Sequence, residues 1–490
     1  MVDLGLNYLN SLSLYIPEAI ALIIMIGLVF LEATYSHGEK RRMTNYFSLF
    51  GLFTVCIILY LNLDKTPSTA FFNAVAIDPF SSLMKLMMVL GTMGAIYLNS
   101  VTQEINTETK NEFNILCVGV LIGGMILASA NNMLTLYVGV ETLSILSYVL
   151  ASLKRKDENS SEAGLKYSLY GGVSAGLMLF GLSHIYGVFG TIQFTGLAEQ
   201  LGQLTMSQTL VLIPSFLLFF VGLGYKIACV PFHMWSPDVY EGSPLPVTTF
   251  FSIVPKLAGI SAILRVSMIF LGKEGLFSDT IIGLLVVVSA LTMTVGNVTA
   301  IGQQSVKRML AYSSISHAGF MLMGVVVLGQ DGISAISYYS MVYVFMTLVA
   351  FYVVGFVSDY YGNDDFNRFN GLMRKNPLMA TLLTVSMVSL AGIPPFGGFV
   401  AKFNILSAAV NNKFYTLAFI GGLNSVVSLY YYIKIVRYMV FNDTESEDQI
   451  EGFNSINKTV VAVLSLPIII LGIKFSGFLN ITEKAVLSIF

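Results

Sequence analysis

Residues 208–231 read QTLVLIPSFLLFFVGLGYKIACVP. The run is apolar enough and long enough to cross a bilayer, since about 20 helical residues rising 1.5 Å each match a hydrocarbon core about 30 Å thick. Its one charged side chain, Lys226, lies inside the run, and Pro231 closes it. The rest of the chain could not bury such a segment in water. Of its 490 residues 55% are hydrophobic and 11% charged, with mean hydropathy +0.75, against about a quarter charged in a soluble domain.

Outward from this run the pattern repeats. It predicts fourteen spans, near 14–32, 46–63, 79–99, 113–130, 133–153, 165–187, 208–230, 247–271, 279–301, 305–328, 333–358, 377–410, 413–438 and 459–479. The twelfth is too long for one straight crossing, and Gly392-Ile393-Pro394-Pro395 marks its break. Connections are short, and the longest polar stretches, 359–376 and 442–457, are too small for soluble domains. The chain therefore reads as a single membrane domain, 1–490, all-α and polytopic, because lipid offers backbone groups no other partner. Residues 1–13 carry no positive charge and the first run ends without a small-residue cleavage pattern. It is expected to stay as a spanning helix.

Lysine and arginine set the orientation. One set of alternate loops holds Lys40, Arg41, Arg42, Lys110, Lys154, Arg155, Lys156, Lys307, Arg308, Arg368, Arg374, Lys375, Arg437 and Lys458; the other holds little beyond Lys65, Lys273, Lys413 and Lys484. The basic loops are expected in the cytoplasm and both termini outside, which is periplasmic in a bacterium. A formal net charge of -2 gives no bulk field for nucleic acid. Cys56, Cys117 and Cys229 stand singly, with no metal or redox spacing.

A weak internal repeat is visible. Counted from the fourth and ninth spans, the Cys229-Val230-Pro231 end and the Pro394-Pro395 break each fall in the fourth helix of a five-helix unit, 113–271 and 279–438. Five is odd, so the units enter the membrane from opposite sides. Broken helices at matching positions of inverted units point to an ion site.

Within the spans stand Glu18, Lys85, Glu141, Lys226, Lys256, Arg265 and Lys402, with Lys434 nearer an end, where it can snorkel. A charge at the helix centre costs roughly 2.5–3.5 kcal/mol, so such residues pair, line water or work. Glu18 follows Pro17 and suits capping or packing; Lys85 and Arg265 suit static pairing with carboxylates or headgroups. Glu141 and Lys226 form either a fixed pair or a switch. Lys256 and Lys402 have no acidic partner in their own helices, which favours proton transfer. Burial disfavours a lysine's charged form and a nearby carboxylate restores it. A potential of ~150 mV opposes a proton by about 3.5 kcal/mol, or roughly 2.5 pKa units, within reach of such tuning. His317, in Tyr312-Ser313-Ser314-Ile315-Ser316-His317, could relay protons between the broken helices, whereas His184 and His233 suit packing at least as well. Gly171-Gly172-Val173-Ser174-Ala175-Gly176 suits close helix packing. No phosphate loop, nucleotide fingerprint, metal cluster or nucleophile triad is present in the sequence, and no covalent chemistry is expected in this chain alone.

Residues 226–244, KIACVPFHMWSPDVYEGSP, followed by Pro246-Val247-Thr248 and Val254-Pro255-Lys256, resemble the subunit N family of proton-pumping NADH–quinone oxidoreductase, respiratory complex I. Asp238-Val239-Tyr240-Glu241-Gly242 separates this resemblance from the sister antiporter-like subunits M and L. Residues 14–18, 141–144, 308–317 and 392–402 match in order along nearly the whole chain. The resemblance implies a proton-translocating membrane-arm subunit of an enzyme, itself without a redox centre. Flavin, iron–sulfur clusters and quinone are then expected in other subunits. Its implied partners are antiporter-like subunit M, small membrane subunits and the bilayer of a bacterial inner membrane. Glu141 then matches the acidic partner in the fifth helix, Lys226 the lysine before the first break, Lys256 the central lysine and Lys402 the terminal lysine. Lys226 precedes its proline whereas Lys402 follows its own, so the half-channels need not be copies. Two other readings stay open: a subunit of a multi-subunit cation/proton antiporter, which the 238–242 segment argues against, and a structural spacer with static ion pairs.

Overall fold

A computed structural model describes residues 9–34, 37–443 and 455–487, the side chains of 37–42 excepted. In chain order the helices are α1 (Ile16–Thr34), α2 (His37–Leu61), α3 (Pro79–Val101), α4 (Lys110–Ala128), α5 (Met133–Ala151), α6 (Glu158–Phe189), α7 (Phe194–Leu201), α8 (Met206–Ile227), α9 (Trp235–Gly242) and α10 (Leu245–Leu271). There follow α11 (Leu276–Ile301), α12 (Val306–Val327), α13 (Gly329–Tyr361), α14 (Leu372–Lys375), α15 (Pro377–Ala391), α16 (Gly397–Asn411), α17 (Tyr415–Phe441), α18 (Ser455–Ile473) and α19 (Phe475–Leu487). Thirteen of these are long and apolar enough to cross a membrane. The broken pair α15–α16 supplies the remaining crossing, which gives the fourteen expected. The protein is a multi-pass membrane protein.

Loop residues set where the helices start. Asp78 accepts from the Ser81 amide at 2.7 Å, Asn132 from Thr135 at 2.7 Å and Ser305 from Arg308 at 3.0 Å. Each satisfies a backbone donor that the first helical turn leaves free. Burial then sorts the helices. Of the apolar windows in α10, α12 and α13, 89%, 94% and 83% is buried, against 28% in α1 and α6 and 22% in α18. The first group is the core of the bundle, and the second turns most of its apolar side chains outward.

Loop contacts define two faces. Gln103 N donates to Asp359 Oδ2 at 3.0 Å, Lys154 pairs with Glu104 at 3.1 Å, and Val306 N donates to Asp364 O at 3.0 Å. These join the loops of the basic set. On the other face β1 (Ser68–Ala70) and β2 (Val75–Ile77) form an antiparallel hairpin in register Thr69↔Ala76. Ala76 N bonds to Ser129 O at the α4–α5 turn, and Phe71 N bonds to Ser11 Oγ near the first described residues.

Two expectations shift. The sixth span starts at Glu158, not 165, because Asp157 caps a helix that runs two turns beyond the apolar stretch. The last span ends at Ile473, not 479. There Gly472 lies against the second break, where an added Cβ would stand 1.9 Å from Pro395 O, and the separate helix α19 follows. Of the polar stretch 442–457, residues 444–454 lie outside the described residues, as do the side chains of Lys40, Arg41 and Arg42.

Glu104 ties four segments together on the basic face. It accepts from the Leu245 amide at 2.6 Å and from Lys154, with Lys307 at 4.0 Å. Burial alone would push its carboxyl up, but Lys307, Lys154 and the Leu245 amide outweigh burial and hold it below the ordinary glutamate value. The stability this adds is complete above 4.5 and shrinks as pH falls through the lowered value. Glu104→Gln should cost about 2 kcal/mol near neutral pH. Melting curves of the purified protein should show that deficit closing on acidification below 4.5; a deficit independent of pH would refute the assignment.

Candidate functional site

The first break begins where α8 ends. Ala228 takes φ +57° and Val230–Pro231 is cis, after which α9 continues. Trp235 Nε1 donates to the Tyr225 carbonyl at 3.0 Å and satisfies one acceptor the break frees. The Trp235 ring stacks on Tyr167 of α6 with centroids 4.3 Å apart, and buried Lys226 lies over Tyr167 at 5.4 Å and donates to its hydroxyl at 3.4 Å. An ammonium over an aromatic face recovers part of its lost hydration.

Glu141 and Lys226 are not an ion pair. Tyr148, on the helix that carries Glu141, packs against Tyr167 with centroids 5.0 Å apart, and Tyr167 is the ring under Lys226, while Glu141 Oε1 is buried without a hydrogen-bond partner. The fixed-pair reading is thereby corrected: in this structure no ion pair joins the two charges, and Lys226 is held by Tyr167 instead.

Lys256 sits one helical turn from Gly259, where α10 meets the α8 end carrying Lys226; an added Cβ would stand 2.6 Å from Ile227 Cγ2. Its amine donates to Ser314 Oγ of α12 at 2.7 Å and lies 5.8 Å from the Tyr240 ring. One turn along α12 is His317. Its Nδ1 meets the Tyr339 hydroxyl and its Nε2 the Tyr432 hydroxyl at 3.0 Å. Tyr432 also contacts Ser313.

The second break differs from the first. Gly392, at φ +87°, ends α15, and an added Cβ there would stand 2.8 Å from Lys402 Cδ. Lys402 donates to the last α15 carbonyl, Ala391 O, at 2.9 Å and reaches Ser428 Oγ at 3.3 Å and Ser425 Oγ at 3.4 Å. Its cation thus serves the negative end of a half-helix dipole, while Phe320 lies 5.1 Å beneath it. Ser425, Ser428 and Tyr432 recur at helical spacing along α17, so one face of α17 reaches both Lys402 and His317.

Among the described residues none of Lys226, Lys256 and Lys402 is in an ion pair, although all three are buried. The static candidates behave otherwise. Lys85 pairs with Glu18 at 2.5 Å, and Arg265 with Asp78 at 2.7 Å. Lys434 donates to Gln303 O at 3.2 Å near the basic face. His184 is exposed beside Phe180, and His233 Nδ1 is buried without a partner. No group of three or more His, Cys, Asp or Glu able to hold a metal ion occurs among the described residues.

Residues 130–428 match the transmembrane family described as NADH:quinone oxidoreductase/Mrp antiporter. The chain belongs to this family. NADH-quinone oxidoreductase subunit N 2 of Chloroherpeton thalassium is 36% identical over 97% of this chain and 94% of its own. A chain of the structure "Respiratory complex I from Thermus thermophilus with bound Aureothin" is 29% identical, with TM-score 0.80 over 95% of this chain and 98% of that one. A chain of the Mrp complex from Dietzia sp. superposes with TM-score 0.82 over 96% of this chain and 97% of its own, at 21% identity; that likeness shows the fold alone. Glu141, Lys226, Lys256, His317 and Lys402 all lie inside the matched family region, whereas the Glu18–Lys85 pair and Asp78 lie outside it.

The aromatic and hydroxyl partners were missed from sequence: Tyr167, Trp235, Tyr240, Tyr339, Tyr432, Ser425 and Ser428. Hydroxyls and rings are unremarkable in spanning helices one at a time. Their spacing relative to the lysines on neighbouring helices carries the information, and that emerges only from the packing.

Proposed function

We propose that the chain is the proton-translocating, subunit N-type member of the membrane arm of an NADH–quinone oxidoreductase. One observation carries the reading: three buried lysines and a histidine form a line through the family region, held by hydroxyls, a backbone carbonyl and aromatic faces instead of carboxylates. A static cation in lipid would be expected to keep a counter-ion, as Lys85 and Arg265 do. A lysine on neutral partners can lose its proton without stranding a buried carboxylate.

Protons are taken up from the cytoplasm near Lys226, pass Lys256, move by Ser314 and the His317–Tyr432 pair, and leave outward through Lys402. Ser314 to His317 and Tyr432 to Ser428 are each about one helical turn, roughly 5–6 Å, a gap that one bridging water can close. The Glu141 carboxylate acts on Lys226 by approach and retreat: near, it favours the charged amine; withdrawn, it favours release. Helices within 113–271 and 279–438 act as the two inverted units, each with its broken helix. Both termini face the periplasm and the basic loops the cytoplasm of a bacterial inner membrane. Subunit M and small membrane subunits flank the chain, and flavin, iron–sulfur clusters and quinone reside in other subunits, which carry the electron transfer.

Lys226→Ala should lower proton pumping per NADH oxidised by roughly a hundredfold, the lower end of what a positioned proton-transfer group contributes, and Glu141→Ala should lower it less. Both are read in vesicles containing the assembled complex. Unchanged pumping with full assembly would sink the assignment. Co-purification with peripheral redox subunits in mild detergent separates this reading from a free-standing antiporter.

A further inference from the structure

The segment 238–242 marks the chain's resemblance, yet nothing in the lysine path uses its two carboxylates. They lie on the outward side of α9. Asp238 pairs with Lys166 of α6 at 2.7 Å and with Arg308 of α12 at 3.2 Å, and Glu241 binds the same Arg308. Lys166 has a second partner on its own helix, Glu162, at 2.7 Å. These groups wall a cleft of about 270 Å³ opening on the basic face. Immediately behind Lys166 in sequence is Tyr167, whose hydroxyl takes the Lys226 hydrogen bond.

The inward side of α9 touches both lysines. Trp235 stacks on the Tyr167 ring under Lys226, and the Tyr240 ring lies 5.8 Å from Lys256. Trp235 and Tyr240 are themselves 6.4 Å apart between centroids. The helix is short, bounded by the Pro231 break and by Ser243-Pro244, and Gly242 lets it approach α6, where an added Cβ would meet Asn159 O at 2.5 Å. Displacing α9 therefore disturbs Lys226 and Lys256 together.

We propose that α9 is the inlet gate of this path, latched by the Lys166–Asp238–Arg308–Glu241 clasp and tying Lys226 to Lys256. The proposal rests on the proton-path reading above. The latch is breakable. Its side chains are between 30% and 47% exposed, and ion pairs in that setting contribute little to stability. Lys166 keeps Glu162 when it releases Asp238. Buried static pairs such as Arg265–Asp78 lack that freedom. Opening the clasp connects the cleft to Tyr167 and Lys226; closing it shuts the water side while the proton moves on to Lys256.

The test uses vesicles holding the complete complex. Asp238→Asn with Glu241→Gln should raise passive proton conductance severalfold without NADH and lower protons pumped per NADH oxidised, with electron transfer retained. Adding Lys226→Met should remove the leak. Arg308→Glu alone should leak, and Arg308→Glu with Glu241→Arg should leak less, because the 308–241 pair is restored in reverse while Asp238 keeps Lys166, a partial rescue that a purely structural loss would not give. If the double neutralisation does not assemble, the charge-exchanged pair decides by the same readout. Tight membranes with full pumping in the unlatched complex, or a leak that survives Lys226→Met, would overturn the gate. Lys226→Met alone separates the two readings. Normal pumping there sinks the path itself, whereas lost pumping there combined with a tight, fully active unlatched complex sinks the gate alone.

Discussion

Replacing Arg265 with alanine should lower the folding equilibrium constant by more than about a hundredfold. The guanidinium pairs with Asp78 at 2.7 Å, both side chains being 7% exposed, and its Nε donates to the Ala128 carbonyl at 2.6 Å. Asp78 simultaneously caps α3 through the Ser81 amide. Removing the cation leaves a carboxylate buried and unpaired, a loss of about 3–5 kcal/mol, out of a total stability of about 5–15 kcal/mol. Each 1.4 kcal/mol is about tenfold in the equilibrium. Removing both charges is far milder, because no ion is stranded. Arg265→Met with Asp78→Asn should therefore recover most of the lost stability, measured as the melting temperature of the detergent-solubilised protein. A single variant as stable as wild type would show that the pair is idle.

That contrast explains what sequence could and could not reveal. A lone charge in an apolar run is conspicuous, so Glu18, Lys85, Glu141, Lys226, Lys256, Arg265 and Lys402 all stood out, as did the spans around them. The break at Gly392–Pro395 was legible because a residue train too long for one crossing met two prolines. Sorting static from mobile cations was harder. Asp78 lies outside its span as a helix cap, 187 positions from Arg265, and no periodicity links the two. That Lys226 meets Tyr167 and not the Glu141 carboxylate depends on how α5, α6 and α8 pack together. Helix α9 escaped notice because eight residues after a proline carry too little pattern to distinguish a helix from a loop. The hairpin at 68–77 is similarly short, and its support comes from Ser129 on a distant turn.

Lys402→Arg should abolish proton pumping, by roughly a hundredfold or more, while the complex still assembles. The substitution preserves charge, so any static electrostatic duty would survive it. Arginine has a pKa above 12 and does not release its proton, so a residue that must discharge outward becomes a permanent cation. The loss of a positioned proton carrier is worth about 10²–10⁴ in rate. Geometry adds to the effect. The lysine amine is held by Ala391 O, Ser425 and Ser428, with Phe320 5.1 Å away, and Gly392 leaves room for its stem alone. A planar guanidinium brings five donors to a site with three acceptors, so a modest stability loss is also expected. Lys402→Met separates the two contributions, because it removes the charge with an unbranched side chain of similar shape. Under the proton-path reading both variants assemble and neither pumps. Under the spacer reading the arginine variant pumps normally, since its charge is intact, and that outcome would retire Lys402 as a carrier. The measurement is acidification inside inverted vesicles per NADH oxidised, normalised to the amount of assembled complex, so that a fall in yield cannot imitate a fall in pumping.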